Sequence, residues 1–216
     1  MKRDQVALLD KEPFSPMAVL AAVKTAMLQK CAATVNLHAQ TLDCCVDEIA
    51  QCAGTMARAF ADERKLLAFG NGSSATDAQD VAVNCMLHGL PALALTNDAG
   101  FENNFLRQVV VFGKPGDLVI GIASSGASHD IAIAFEKAHD LGLVTIGLAG
   151  AEHGALAELH RGGIIDFCFV VPSTDIPRIQ ETHTTIYHTL IELTQRLLVN
   201  REIPSPHSVF SIQSIY

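Results

Sequence analysis

The first sixty residues of the chain carry apolar side chains at helical spacing. Apolar residues recur about every three or four positions, no glycine precedes Gly54, and no proline follows Pro16 before residue 60. Such a repeat is typical of an amphipathic helix. The repeating positions are Leu20, Val23, Met27, Val35, Leu42, Val46 and Ile49. The pattern predicts one or two long helices between about residues 16 and 60.

After Lys65 the pattern changes to short apolar runs that end in turns of small residues. Five such runs are candidate strands, at residues 66–69, 92–95, 118–122, 143–148 and 167–171. Helical stretches lie between them, at about residues 75–88, 103–112, 128–141 and 154–160. Strands that are apolar on both faces and alternate with helices are typical of a parallel sheet covered on both sides. The pattern predicts a doubly wound, five-stranded α/β fold.

A final helix is predicted from Pro177 or Arg178 to about Asn200, because proline is suited to the first turn of a helix. No internal repeat, low-complexity segment or linker divides the chain. The sequence therefore predicts one domain in three parts. These are a helical N-terminal extension at residues 1–60, an α/β body at 61–200 and a C-terminal tail at 201–216.

Composition favours a globular protein without a membrane span. Hydrophobic residues make up 49% of the 216 residues and charged residues 18%, and the mean hydropathy is +0.27. No uninterrupted apolar run approaches the roughly 20 residues that cross a bilayer. Asp4, Asp10 and Glu12 interrupt the N-terminus where a secretory signal would be apolar. We therefore expect a cytoplasmic protein that does not bind membranes.

Charge and cysteine content limit the kinds of partner that the protein is expected to bind. The formal net charge is −8 and the Lys and Arg residues are scattered, so we expect no direct binding of nucleic acid. The six cysteines form no C-x-x-C pair, which favours reduced thiols packed in the interior. The apolar N-terminal helix predicts a homo-oligomer, because another subunit would cover its apolar face.

Two turns rich in serine follow the first and third predicted strands. They read G-N-G-S-S at 70–74 and S-S-G-A-S at 124–128. The carboxyl ends of neighbouring parallel strands meet at one edge of the sheet beside helix N-termini, so both turns are placed to hold one anion. Neither has the lysine or the spacing of a nucleotide-binding loop, which indicates a small phosphorylated ligand. The alternative is that these turns only connect strands and cap helices.

Three motifs of the chain belong together. They are G-N-G-S-S at 70–74, G-D-L-V-I-G-I-A-S-S-G-A-S at 116–128 and R-I-Q-E-T-H-T-T-I-Y-H at 178–188. Over about residues 30–198 the chain resembles the SIS (sugar isomerase) domain family, and specifically its phosphoheptose isomerase branch. The resemblance implies a flavodoxin-like three-layer α/β/α fold in which residues 61–200 bind a phosphosugar. It also implies a homotetramer whose active sites are built from neighbouring subunits.

The resemblance implies a role for each matching residue. It assigns phosphate binding to the serines at positions 74, 124, 125 and 128, with Asn71 and Gly72 shaping the first turn. It places Gln180 and His188 against the sugar or a bound metal. His183 is implied to support the subunit interface or the residues around the site. The implied substrate-binding residues are Asn71, Gly72, Ser73, Ser74, Ser124, Ser125, Ser128 and Gln180.

One helix departs from the family pattern. Aligned without gaps, the glutamate that serves the family as acid or base falls on Asn84, and a metal-binding histidine falls on Asp80. An amide cannot accept the proton, and losing a general base typically costs about 10²- to 10⁴-fold in rate. Asp80, Asn84 and His88 recur every four residues along one helix stripe. Asp80 and His88 are therefore the alternative bases or ligands beside His188.

Some members of the family bind zinc, and the residues of this chain that match a metal set are Asp80, Gln180 and His188. These side chains offer oxygen and nitrogen donors but no thiolate, and an amide is a weak ligand for zinc. We expect a protein that requires no cofactor, with zinc as the candidate ion.

Two functions of different classes follow from the resemblance. The first, favoured by His188, is an enzyme that isomerises sedoheptulose 7-phosphate to a heptose 7-phosphate through an enediol, towards lipopolysaccharide precursors. The second, favoured by Asn84, is a non-catalytic scaffold that binds a phosphosugar or a replication initiator. Residues 96–104 form a shorter stretch than the family has at this place beside the sugar. A third interpretation is therefore an isomerase or sensor for a different phosphosugar. The prediction leans towards the enzyme.

Overall fold

The computed structural model describes residues 15–97, 103–125, 129–150 and 154–200. They belong to two compact units, Met1–Asn36 and Leu37–Tyr216. Helix α1, Pro16–Ala61, is one helix of 46 residues that begins at a proline, a residue that suits the first helical turn. The long helix predicted from the apolar repeat is confirmed.

Five strands follow α1 and alternate with helices. The strands are β1 (Leu66–Gly70), β2 (Ala92–Ala94), β3 (Leu118–Ala123), β4 (Val144–Gly150) and β5 (Phe167–Val171). The helices are α2 (Ser74–Leu87), α3 (Asn104–Phe112), α4 (His129–Asp140), α5 (Ala155–Arg161) and α6 (Ile176–Asn200). The sheet has the order β2-β1-β3-β4-β5 with every pairing parallel. This is the flavodoxin-like order, so the predicted fold class is confirmed.

Helices cover both faces of the sheet. On one face, strand residues such as Ile120 and Leu148 pack against α2, α6 and the part of α1 that follows Leu37. On the other face, residues such as Val119 pack against α3, α4 and α5. Successive strand side chains point to opposite faces. β1 and β3 are buried along their whole length and carry apolar residues and glycine, as the sequence pattern indicated, whereas β4 includes the buried Thr145 and the edge strand β2 is partly exposed.

The strand order places β1 beside β3 although α2, β2 and α3 separate them in the sequence. To one side of this pair the chain adds β2, and to the other it adds β4 and β5. Ligands of open α/β sheets bind beyond the carboxyl ends of the strands at such a switch point. The turns that follow β1 and β3 therefore lie side by side at this position.

The first unit contributes the exposed start of α1. Residues 15–36 are exposed apart from the half-buried Thr34. Among the described helices, α1 alone is long and apolar enough to cross a membrane by length and composition, with a mean hydropathy of 1.3 over its most apolar 18 residues. Core helices of other proteins and signal sequences share this length and composition. The cytoplasmic location, the absence of membrane binding and the three domain boundaries stay predictions.

All six cysteines are free, but they differ in burial. Cys45, Cys52, Cys85 and Cys168 are buried, and burial raises the pKa of the Cys85 thiol to about 12. A thiol with such a pKa stays protonated and packs as a small apolar group. Cys31 and Cys44 are exposed on α1, so the expectation that every cysteine is packed in the interior was wrong for these two.

Gly121 of β3 lies against two phenyl rings. A Cβ at this position would come within 2.5 Å of the Phe135 ring and 2.8 Å of the Phe69 ring, and the centroids of those rings are 5.3 Å apart. Gly147, which pairs with Gly121 across β3 and β4, has more room, because its nearest neighbour would be the Cys168 sulfur at 3.4 Å.

We predict that Gly121→Ala lowers the free energy of unfolding by about 1–3 kcal/mol, the usual cost of overpacking a core. The matched variant Gly147→Ala should be close to wild type. Urea denaturation of the two variants measures the difference. Equal stabilities would contradict the packing described for β3.

Candidate functional site

Ser74 and Ser124 meet at the carboxyl edge of the sheet. Ser74 is the first residue of α2 and Ser124 directly follows β3. Their hydroxyl oxygens are 2.9 Å apart, and the two residues are only 3% and 5% exposed. The structure thus brings together the two serine turns that the sequence predicted to converge.

Close approach of the backbone makes this contact possible. A Cβ at Gly70 would lie 2.5 Å from the carbonyl oxygen of Ser74, and one at Gly150 would lie 2.1 Å from that of Ser124. Gly72 has a φ of +58°, in the left-handed region that side chains disfavour. Glycine at these three positions therefore shapes both turns.

Asn71 joins the first turn to the end of β2. Its side-chain oxygen accepts a hydrogen bond from the side-chain amide of Asn97, which lies just beyond β2. Since β2 and β3 flank β1, residues that follow three neighbouring strands surround the same edge. Sequence reasoning missed Asn97, although its place directly after a strand was a usable signal.

The other serines of the two turns differ in exposure. Ser73 precedes α2, and its side chain is exposed and does not cap the helix. Ser125 is exposed beside the buried Ser124. Ser128 lies outside the described residues. The N-terminus of α2 adds partial positive charge at this place, so hydroxyls and a helix end together suit an anion.

A polar contact joins α2 to α6 beyond the serines. The side-chain amide of Gln180 donates a hydrogen bond to Asp77 at 3.3 Å. Burial raises the pKa of Asp77, the hydrogen bond from Gln180 opposes this rise, and the charge of Asp80 adds to it. Gln180 was predicted to face a sugar or a metal, and the structure directs its amide nitrogen to Asp77.

Asp80 and His188 are joined directly. The Nε2 atom of His188 lies 3.2 Å from Oδ2 of Asp80, and the Tyr187 hydroxyl donates to the same oxygen at 2.6 Å. The other carboxylate oxygen accepts a hydrogen bond from the Asn84 amide at 2.9 Å. Burial, together with the contact to Asp80, raises the pKa of Tyr187, so its hydroxyl remains a donor. Several partners therefore hold the Asp80 carboxylate in place.

This arrangement equips His188 to move a proton. When Nε2 carries hydrogen and donates it to Asp80, Nδ1 can take up a proton and release it again. The carboxylate orients the ring, as in other histidine–carboxylate pairs. The two side chains are 42% and 45% exposed, so both can be reached from solvent. Because its oxygens are occupied, Asp80 acts through His188.

His88, the other alternative base, borders the same place. It caps the C-terminal end of α2 and lines a small cleft together with Asn84 and His188. The structure therefore brings His88 to His188, while Asp80 makes its own contact with the same histidine.

The predicted metal set does not fit a zinc ion. Zinc sites in proteins use three or four strong ligands. Among the described residues, no group of three or more His, Cys, Asp or Glu side chains is placed to hold a metal. The amide of Gln180 is a weak ligand for zinc, so Asp80 and His188 are the two strong ligands of the set.

His183, predicted to support the interface or the site, lies in the core of the chain. It is fully buried, and neither ring nitrogen makes a hydrogen bond of ordinary geometry. Burial lowers the pKa of His183 to about 4, and the backbone of Ala149 at the end of β4 opposes this shift. The ring is therefore neutral at pH 7.

Sequence reasoning also missed Asp77 and Tyr187. Asp77 precedes Asp80 by three residues on α2, which places the two carboxylates on one helix face. Tyr187 stands directly before His188 in the third motif, and their rings make an edge contact with centroids 4.8 Å apart. Both positions were visible in the sequence, but their partners on the other helix were not.

Comparison with known proteins gives consistent matches. A family model described as SIS domain matches residues 31–150. The chain is 40% identical over 185 residues to the phosphoheptose isomerase of Aquifex aeolicus (strain VF5), across 78% of this chain and 91% of that protein. It is 37% identical over 192 residues to the phosphoheptose isomerase of Geotalea daltonii, across 80% of this chain and 97% of that protein.

Solved structures agree with these relatives. The phosphoheptose isomerase of Neisseria gonorrhoeae superposes with a TM-score of 0.73 at 28% identity, over 81% of this chain and 99% of that chain. The phosphoheptose isomerase from Francisella tularensis superposes with a TM-score of 0.69 at 30% identity, over 85% of this chain and 100% of that chain. The matches confirm the predicted resemblance and, since these relatives are isomerases, the leaning towards an enzyme.

Because His183 is buried, we predict that the folded protein loses stability in acid. A histidine in the unfolded chain titrates near 6.5, whereas folded His183 titrates at about 4. Between these values the unfolded state binds more protons, so the free energy of unfolding falls as the pH falls. The contribution lost by pH 4.5 is about 2 kcal/mol.

Urea denaturation at pH 7 and pH 4.5 checks this expectation. His183→Gln should lose about 2 kcal/mol less than wild type over that interval, whatever its stability at pH 7. His139→Gln, a change at an exposed histidine of α4, should keep the wild-type dependence. A His183→Gln variant with the wild-type dependence would show that His183 is not the titrating group.

Proposed function

The chain belongs to the SIS domain family, in its phosphoheptose isomerase branch, and on this basis we propose that it isomerises sedoheptulose 7-phosphate to a heptose 7-phosphate through an enediol. The observation that carries the proposal is the hydrogen bond of 3.2 Å between His188 and Asp80. It lies further along α2 than the contact of Ser74 with Ser124. In this proposal the serines hold the phosphate and His188 moves protons at the other end of the sugar.

The spacing along α2 supports an open-chain sugar of six or seven carbons. Asp80 follows Ser74 by six residues, which is roughly 9 Å of helix at 1.5 Å per residue. An extended chain advances roughly 1.2 Å per single bond, by analogy with extended backbone. The seven bonds from the phosphorus to C2 of a heptose 7-phosphate therefore span roughly 8 Å. A phosphate at the serines would bring C1 and C2 close to His188.

We propose that the reaction does not require a metal. Aldose–ketose exchange moves one proton between two carbons and another between two oxygens, and side chains of suitable pKa can carry both. Asp80 and His188 give zinc two strong ligands where a catalytic site has three. The same pair suits a histidine held by a carboxylate.

We also propose that the protein works in the cytoplasm as a homo-oligomer, with a tetramer as the expected form. Exposed apolar side chains of α1 support contacts between subunits, because Leu20 and Met27 are 66% and 61% exposed. Apolar surface of this kind is normally covered in an assembly.

The second candidate function is a non-catalytic protein that binds a phosphosugar or serves as a scaffold. Asn84 favours it, because the side-chain amide donates to Asp80 and cannot act as a base. Turnover separates the two functions, since a scaffold would bind sugar phosphate without converting it.

We predict that the purified protein converts sedoheptulose 7-phosphate to an aldose phosphate, followed by NMR, equally well with zinc and with a chelator. His188→Gln should lower kcat by about 10²- to 10⁴-fold, the usual loss for a proton-transfer group. Asp80→Asn should reduce kcat less, because the histidine remains although its orienting carboxylate is lost.

His139→Gln on α4, on the other face of the sheet, is the matched control and should leave turnover unchanged. A wild-type protein that produces no aldose phosphate under either metal condition would end the isomerase proposal in favour of the scaffold. Activity lost on chelation and restored by zinc would contradict the metal-free reaction.

We predict that Ser74→Ala and Ser124→Ala each remove most of the thermal protection that sugar phosphate gives. A ligand at 100 times its Kd stabilises a fold by about 2.7 kcal/mol, which raises Tm by several degrees in a protein of this size. The readout is the rise in Tm on adding ligand, so a change in the unliganded Tm does not affect it.

Ser173→Ala is the control for this experiment, since Ser173 follows β5, two strands away from β3. It should keep the full rise in Tm. If Ser74→Ala and Ser124→Ala both keep the wild-type rise in Tm on adding sugar phosphate, the phosphate binds elsewhere.

A further inference from the structure

A small cleft opens beside His188 between α2 and α6. Its volume is about 80 Å³, enough for a few atoms at one end of a sugar. The described residues that line it are Asn84, His88, His188, Ile191 and Glu192. We refer to it as the His188 cleft.

Glu192 supplies the one carboxylate among those five lining residues. It follows His188 by four residues on α6, so the two side chains are neighbours on one helix face. Glu192 is exposed and makes no hydrogen bond or ion pair with another described residue. Its oxygens are therefore free, unlike those of Asp80, which accept hydrogen bonds from three side chains.

Isomerisation through an enediol needs a group for the carbon-bound proton and a group for the oxygen-bound proton. His188, held by Asp80, suits one of these tasks. Asn84 cannot accept a proton. His88 stands at the end of α2, and its imidazole can also accept a proton. Glu192 is the one carboxylate among the described residues of the cleft, and variants of the two residues separate their roles.

We propose that Glu192 is the catalytic base that removes the carbon-bound proton of the sugar, with His188 as its partner on the oxygens. This inference rests on the proposed isomerase function and names a residue that neither the motifs nor the alternative bases included. The glutamate that serves the family as acid or base aligns with Asn84 on α2, whereas Glu192 stands on α6.

The step balances without a further reactant. Glu192 takes a proton from C1 of the ketose, the electron pair of that bond forms the C1–C2 double bond, and the C2 oxygen takes a proton from protonated His188. The O1 proton of the enediol then returns to His188 as the C1 carbonyl forms. The electrons of the double bond take the proton from Glu192 at C2. Both side chains end in their starting forms.

The test compares Glu192→Gln with wild type on sedoheptulose 7-phosphate. We expect kcat to fall by about 10²- to 10⁴-fold with little change in KM, because the amide keeps the shape of the side chain but cannot take the proton. Exchange of the C1 proton with deuterium from D2O should fall in parallel. Binding of sugar phosphate, followed by the rise in Tm, should persist.

A rescue variant separates a catalytic role from a structural one. Asn84 lines the same cleft, so Asn84→Glu in the Glu192→Gln background returns a carboxylate to it and should restore turnover at least tenfold. Glu136→Gln, at an exposed carboxylate of α4 on the opposite face of the sheet, is the control and should match wild type.

The outcomes distinguish this inference from the proposed function. Wild-type turnover that survives Glu192→Gln, or that is abolished by His88→Gln and not by Glu192→Gln, overturns the role of Glu192 and leaves the isomerase standing. A wild-type protein that neither turns over the sugar nor exchanges its C1 proton overturns both. Loss in Glu192→Gln without any rescue by Asn84→Glu also counts against Glu192 as the base.

Discussion

The contact between Ser74 and Ser124 is the constraint on which the rest of the site depends. The two hydroxyls come within 2.9 Å because β1 and β3 are neighbours in the sheet. Glycine at positions 70 and 150 also leaves room for the backbone carbonyls of Ser74 and Ser124. A phosphate held there can extend its sugar along α2 towards α6. In the proposed binding mode the sheet sets the phosphate end of the ligand, and helix geometry sets the other end.

The part of the site proposed for the carbonyl end of the sugar depends on how α6 packs against α2. Tyr187 and His188 of α6 reach the same oxygen of Asp80 on α2, and Gln180 reaches Asp77. These contacts fix the ring of His188 beside the His188 cleft, where Glu192 stands one turn further along. The core that α2 and α6 share on one face of the sheet holds the two helices in this relation. In the proposed reaction, packing away from the ligand therefore sets the geometry of proton transfer.

The strands, the helices and the two serine turns could be predicted from the sequence because each follows from local periodicity and turn chemistry. The motif that ends in His188 also pointed to the histidine that we propose as the proton-transfer group. The partners of that histidine could not be found in this way, since Asp80 lies 108 residues away and the contact depends on the packing of α2 against α6. For the same reason Asn97 and Glu192 escaped notice, and so did the hydrogen bond that Gln180 donates to Asp77.

The central claim is that one phosphosugar lies along α2 with its phosphate at the serines and its carbonyl end at His188. A crystal structure of the slow His188→Gln variant with sedoheptulose 7-phosphate tests it most directly. We expect phosphate oxygens within hydrogen-bonding distance of the Ser74 and Ser124 hydroxyls, and C1 and C2 in the His188 cleft near Glu192. A phosphate bound elsewhere, or a sugar chain that leads away from α6, would contradict it.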